Sequence, residues 1–142
     1  MINAIYFYNA ERFLFLYKIP LLPKLIKLLI FILYNSSIPF QCVIGKGTRF
    51  SYGGIGVVVH KRTRIGKNCK IGSGVTFGGR SGIYDVPVIG DNVYIASGAK
   101  ILGNVVIGNN SIIGANAVVL NDVPEGAIVV GVPAKIIKYV ND

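Results

Sequence analysis

The chain has 142 residues, is 52% apolar and carries 18 glycines and 6 prolines, which suits one folded unit and excludes a disordered tail. Its 38 Ile and Val residues favour strands over a helical bundle, and two cysteines with one histidine exclude zinc-ribbon and disulfide scaffolds. Residues 1–80 hold twelve Lys/Arg against one acid, Glu11, while residues 81–142 hold three against five, so the basic half suits a phosphate-bearing cofactor, an acidic lipid surface or nucleic acid.

Residues 2–34 read as one or two helices broken at Pro20 and Pro23. They make an N-terminal apolar helical segment, 1–35, ahead of a second unit over 36–142. Leu21, Leu22, Leu25, Leu28, Leu29 and Leu33 cover more than one helical face. Such a segment either packs on the second unit or dips into a membrane interface, with Lys18, Lys24 and Lys27 at lipid phosphates. Those lysines and the prolines interrupt residues 13–34, leaving no run long enough to span a bilayer. Glu11 and Arg12 precede the apolar stretch and no small-x-small site comes after it, which argues against a signal peptide. The expected location is cytoplasmic, with peripheral contact at the inner membrane through residues 13–34 as an open alternative.

From residue 38 a period of six organises the chain. Large residues recur at Ile38, Ile44 and Phe50, then at Val59, Ile65, Ile71 and Phe77, then at Ile89, Ile95, Ile101, Ile107, Ile113 and Val119. Phe50 to Val59 is nine residues, which places a three-residue insertion near Ser51–Gly56. Four residues after each large position sits a smaller one, among them Cys42, Thr48, Thr63, Cys69, Val75, Val93, Ala99, Val105, Ser111, Ala117 and Val123. Neither an α-helix nor a plain strand repeats every six residues. Three short flat faces joined by glycine-aided corners do, at eighteen residues per triangular coil, and the smaller column fits the narrow prism inside. The fold is therefore a parallel β-helix. Cys42 and Cys69 fall on different faces, so no disulfide is expected. Phe77 to Ile89 is twelve residues, read as one repeat plus a six-residue loop, because Gly79–Gly82 and Asp85-Val86-Pro87 are turn chemistry. After the repeats, Pro124–Val132 continues as strand, and Ala134–Tyr139 looks like a short closing helix.

The hexapeptide pattern, Ser97-Gly98-Ala99-Lys100-Ile101-Leu102-Gly103 and the ending Gly131-Val132-Pro133-Ala134-Lys135 resemble bacterial hexapeptide acyltransferases, in particular the serine acetyltransferase-like branch that includes O-acetyltransferases of surface polysaccharides. The resemblance covers roughly residues 36–138. It implies a left-handed coil, a homotrimer, and acetyl transfer from acetyl-CoA, without a metal, at clefts between subunits. Matched by motif, the CoA positions are Gly78, Gly79, Ser97, Gly98, Ala115 and the Gly131–Lys135 segment, with Lys135 or Lys138 toward phosphate. Serine acetyltransferases place an Asp-His pair where this chain has Ser51-Tyr52, and an Arg-His pair where it has Asp85-Val86. Both histidines are absent here.

The one histidine, His60, comes directly after a core position and so sits at a corner, one full coil below Gly78. A loop over it would form an acceptor pocket from Tyr52, Arg80, Tyr84 and Asp85, with His60 as base and Asp85 orienting it. The leading expectation is an acetyl-CoA-dependent O-acetyltransferase acting on a sugar hydroxyl in surface-polysaccharide assembly. Serine O-acetylation and a non-catalytic trimeric scaffold are the alternatives. A zinc carbonic anhydrase on this fold needs a histidine cluster that one residue cannot supply. Lys61, Arg62, Arg64, Lys67 and Lys70 cluster without interleaved aromatics, which argues against nucleic acid. Trimer formation is expected from outward apolar residues such as Val57, Val106, Ile112 and Val118.

Overall fold

The computed structural model describes residues 2–142 and is a left-handed parallel β-helix of about four turns preceded by two helices. Strands are numbered in chain order. One face stacks β1 (Val43–Ile44), β4 (Arg64–Ile65), β7 (Val88–Ile89) and β10 (Val106–Ile107). The second stacks β2 (Arg49–Phe50), β5 (Lys70–Ile71), β8 (Tyr94–Ile95), β11 (Ile112–Ile113) and β13 (Ala127–Val130), with β14 (Lys135–Tyr139) at its edge. The third stacks β3 (Val58–Val59), β6 (Thr76–Gly78), β9 (Lys100–Leu102) and β12 (Val118–Val119).

Registers match the six-residue columns: Ile71 pairs Ile95, Ile95 pairs Ile113, and Phe77 pairs Ile101. Every member of the smaller column is buried, as are all the large positions except half-buried Ile44. The insertion after Phe50 is a 3-10 turn over Ser51–Gly54, with Tyr52 in the left-handed region. Ile65 pairs Ile89 across twenty-four residues of chain, so the extra six between Phe77 and Ile89 do leave the coil as a loop. Val57 differs from its expected outward place. It is fully buried because it stands two residues before Val59, level with Val75 in the smaller column, and Val58 faces outward instead.

Corner glycines let adjacent coils touch. A Cβ on Gly45 would lie 2.5 Å from the carbonyl carbon and oxygen of Gly66 and 2.7 Å from the Lys67 nitrogen, all fixed backbone. Gly45→Ala is expected to cost about 1–3 kcal/mol of stability. Gly79→Ala, which meets nothing nearer than 4.0 Å, should leave the thermal midpoint in place.

Cys42 and Cys69 are free and buried on different faces. Burial pushes the Cys42 thiol up to about 12, so it is a packing residue and not a nucleophile.

The N-terminal helices are α1 (Ala4–Leu16) and α2 (Leu22–Tyr34). The break falls over residues 17–21. Pro23 lies inside the first turn of α2, where its missing N–H costs nothing, and so does not interrupt the helix. Helix α1 closes the open end of the coil. Tyr8 Oη donates to the Cys42 carbonyl at 2.7 Å and accepts the Ile44 N–H at 3.1 Å, while Asn3 Nδ2 donates to the Phe50 carbonyl at 2.6 Å. Glu11, on the same helix, is fully buried, and neither carboxylate oxygen has a hydrogen-bond partner among the described residues.

The C-terminal end differs from the expected short helix. Gly131, at φ +97°, and Pro133 turn the chain back, and Lys135–Tyr139 pairs antiparallel with β13, Val130 against Lys135 and Ala127 against Tyr139. The lysine spacing of Lys135 and Lys138 imitates a helix. The unpaired edge of β13 offers a full set of partners to the β-branched Ile136-Ile137 pair, and that edge prevails.

Candidate functional site

The proposed residues gather at two edges of the β3–β6–β9–β12 face. At the edge where these strands end, His60, Gly78 and Leu102 lie in register, since Val59 pairs Phe77 and Gly78 pairs Leu102. The His60 N–H donates to the Phe77 carbonyl at 2.8 Å, and the Gly103 N–H to the Gly78 carbonyl at 2.9 Å. The stacking of the lone histidine beneath Gly78-Gly79 is thus present.

At the edge where the same strands begin, the Gly98 N–H donates to the Ser73 carbonyl at 2.8 Å and the Asn116 N–H to the Ser97 carbonyl at 3.0 Å. Ser73 and Ser97 join through their hydroxyls at 3.1 Å. The turn after β13 completes this column, with the Val118 N–H on the Gly131 carbonyl at 3.0 Å and the Ala134 N–H on the Val118 carbonyl at 2.9 Å. Lys135 starts β14 at this edge, and Lys138 lies three residues further from it. From Gly98 to Leu102 the face runs four residues, about 13 Å. Lys100, at the start of β9, reaches back to this same edge, its Nζ donating to the Gly74 carbonyl at 2.5 Å. The positions matched to CoA therefore fall into two groups on opposite edges of one face.

The expected acceptor pocket is dispersed. Tyr52 is exposed on the 3-10 turn, at the Ser97 edge and away from His60. Arg80 begins a small hairpin, bridged to Ile83, and its side chain lies against Gly103 in the next coil. Tyr84 and Asp85 instead line an open cleft of about 610 Å³ with Lys61, Arg62, Thr63 and Arg64, outside the β1–β4–β7 face. The organiser is Arg62, which in the sequence is one basic residue among several. Its guanidinium sits 4.0 Å over the Tyr84 ring and hydrogen-bonds the Tyr84 carbonyl, pinning the loop. Its backbone N–H donates to His60 Nδ1 at 3.1 Å. No spacing rule points to Arg62, because the loop that brings Tyr84 back lies outside the six-residue period.

The Arg62 bond sets the chemistry of His60. With Nδ1 accepting, the neutral ring carries its proton on Nε2. Taking a proton at Nε2 requires the other tautomer and loss of that bond, worth about 1 kcal/mol. Asp85, expected to orient the ring, makes no hydrogen bond to it, and Nδ1 already accepts the Arg62 N–H. His60 is half-buried, and its pKa is held below the usual imidazole value by burial first, then by the Arg62 and Lys61 charges. At neutral pH the ring is uncharged.

Residues 87–121 match the family model Bacterial transferase hexapeptide (six repeats). The chain is 36% identical over 138 residues to a serine acetyltransferase of Synechococcus elongatus, covering 95% of this chain and 56% of that protein. It is 51% identical over 97 residues to a serine acetyltransferase of Staphylococcus aureus strain N315, covering 67% of this chain and 45% of that one. Among solved structures, serine acetyltransferase in complex with coenzyme A from Brucella abortus strain S19 superposes with a TM-score of 0.90 at 31% identity, over 96% of this chain and 55% of that chain. A serine acetyltransferase in complex with cysteine gives 0.87 at 36% identity, over 96% and 53%. The chain spans about half the length of the curated relatives it matches. These findings point to the serine acetyltransferase branch and give no support to the surface-polysaccharide branch suggested by the sequence. Repeat, coil and sequence likeness agree: the chain belongs to the hexapeptide-repeat acyltransferase family.

Proposed function

We propose that the protein transfers an acetyl group from acetyl-CoA to a hydroxyl. The observation that carries this reading is the lone neutral histidine stacked under Gly78-Gly79, in a fold whose solved relatives include a coenzyme A complex. Serine is the acceptor that the relatives' names support, and it replaces the sugar hydroxyl as the leading reading. One feature favours a second reading. The cleft beside His60 is open and lined by Lys61, Arg62 and Arg64, which suits a larger acceptor bearing a negative charge.

Release of CoA from acetyl-CoA, measured with serine and separately with nucleotide sugars, tests both. Saturable turnover with serine upholds the leading reading. Turnover with sugars alone overturns it, and turnover with neither leaves a scaffold.

The two edges also bear on assembly. Within one chain Gly78-Gly79 and Ser97-Gly98 are about 13 Å apart, whereas in a threefold assembly one edge of each copy can meet the other edge of the next. Exposed Val58, Val88 and Val106 would be covered by such contacts. Light scattering should therefore give the mass of three chains. Lys135 stands at the edge that carries Ser97 and Gly98, where a charge-assisted phosphate contact contributes about 1.5–3 kcal/mol. Lys135→Ala should weaken CoA binding roughly tenfold or more in calorimetry. Lys138→Ala, further from that edge, should change it less.

A further inference from the structure

We infer that the α1–α2 hairpin is a docking surface for an anionic lipid bilayer. Helix α2 buries only Pro23, Ile30 and Tyr34, and it turns a leucine-rich stripe outward. Leu25, Leu29 and Ile32 are exposed along that stripe. At the hairpin tip Leu16, Tyr17 and Leu21 are also exposed, the last two by 69% and 70%. Soluble surfaces seldom leave so continuous an apolar patch bare. Each helix has thirteen residues, about 20 Å, so the pair can lie in an interface but cannot cross it.

Charge selects the occupant. Lys18 and Lys24 flank the tip and are exposed, while Glu11, the only acid in residues 1–80, is fully buried. The exposed hairpin is therefore apolar and cationic, with no surface carboxylate. A second copy meeting it through the same face would set lysines against lysines. Lipid phosphates complement it, and the long lysine side chains can reach the headgroups while their stems lie on the apolar stripe.

Flotation of the full chain with phosphatidylcholine vesicles, with and without phosphatidylglycerol, tests the inference. Binding to the anionic vesicles, weakened by salt, is the expected result. Lys18→Gln with Lys24→Gln should lower partitioning about thirtyfold. The chain has no tryptophan, so Leu21→Trp gives a single reporter whose emission should shift to the blue on anionic vesicles. Circular dichroism melting of each variant, all at exposed positions, reports that the fold is kept. Failure of the folded chain to float with anionic vesicles overturns the inference. So does a Leu25→Glu, Leu29→Glu variant that splits a larger assembly in light scattering yet floats unchanged, because the stripe would then be covered by another copy.

Discussion

His60→Asn should lower turnover with the true acceptor by roughly 10²–10⁴ while leaving CoA affinity and the thermal midpoint nearly unchanged. A hydroxyl is a poor nucleophile at neutral pH, and His60 is the one side chain here whose ordinary titration lies near it. The Arg62 hydrogen bond holds the ring in the tautomer that donates from Nε2. Exchanging tautomers costs about 1 kcal/mol, against the roughly 3–5 kcal/mol that general-base catalysis contributes, so the exchange does not forbid the role. Turnover by His60→Asn above a tenth of the wild-type value would remove His60 as base. The pH profile gives a second reading. Because the folded pKa is lowered, kcat/KM should rise through a midpoint below the ordinary imidazole value of 6.5 and stay flat above it. Lys61→Gln removes one of the charges that lower it, so the midpoint should move to higher pH.

Glu11→Gln should raise stability at alkaline pH by several kcal/mol and leave it nearly unchanged at pH 5. Burial, opposed by the Lys27 charge, raises the Glu11 carboxyl from 4.5 to about 8. The unfolded chain loses this proton near 4.5 and the folded chain keeps it until about 8. Between those values the unfolded state holds fewer protons, so stability falls as pH rises and has lost its full share above 8. A shift of this size corresponds to on the order of 5 kcal/mol, a large part of a small domain's 5–15 kcal/mol. Glutamine has the shape of the protonated acid and cannot ionise. Thermal melts at pH 5 and pH 9 check the sign: parallel behaviour of wild type and variant would mean that Glu11 ionises without penalty.

The coil is legible in the sequence because its constraint is periodic. Each of Ile71, Ile95 and Ile113 occupies the same point of a triangular section, so a six-residue count finds the core, the insertion after Phe50 and the loop before Ile89 together. The stacking of His60 under Gly78 comes from the same count. What escapes it lies outside the period. The path of residues 79–87 depends on Arg62 clasping Tyr84, a contact across twenty-two residues that no local pattern encodes. The expected grouping with His60 loses Asp85 to the cleft that Arg62 and Tyr84 shape, Arg80 to Gly103 of the next coil, and Tyr52 to the opposite edge, where its 3-10 turn lies; the two-edge division of the CoA positions appears only once the corners are placed in space. The closing segment reads wrongly as a helix because Ala134–Tyr139 has helical spacing, and only the free edge of β13 makes it a strand.

That last strand bears on what many copies do together. A parallel coil is a ladder with no natural last rung, and a bare terminal rung is a template on which the first rung of another molecule could add. Here β14 runs against the direction of the ladder and presents Lys135 and Lys138 in an exposed strand. At the opposite end α1 lies over the first coil, with Tyr8 already holding the Cys42 carbonyl and the Ile44 amide. Both growth points are blocked within one molecule, so association is directed to the sides of the prism, and end-to-end polymerisation into fibres is disfavoured even at high concentration.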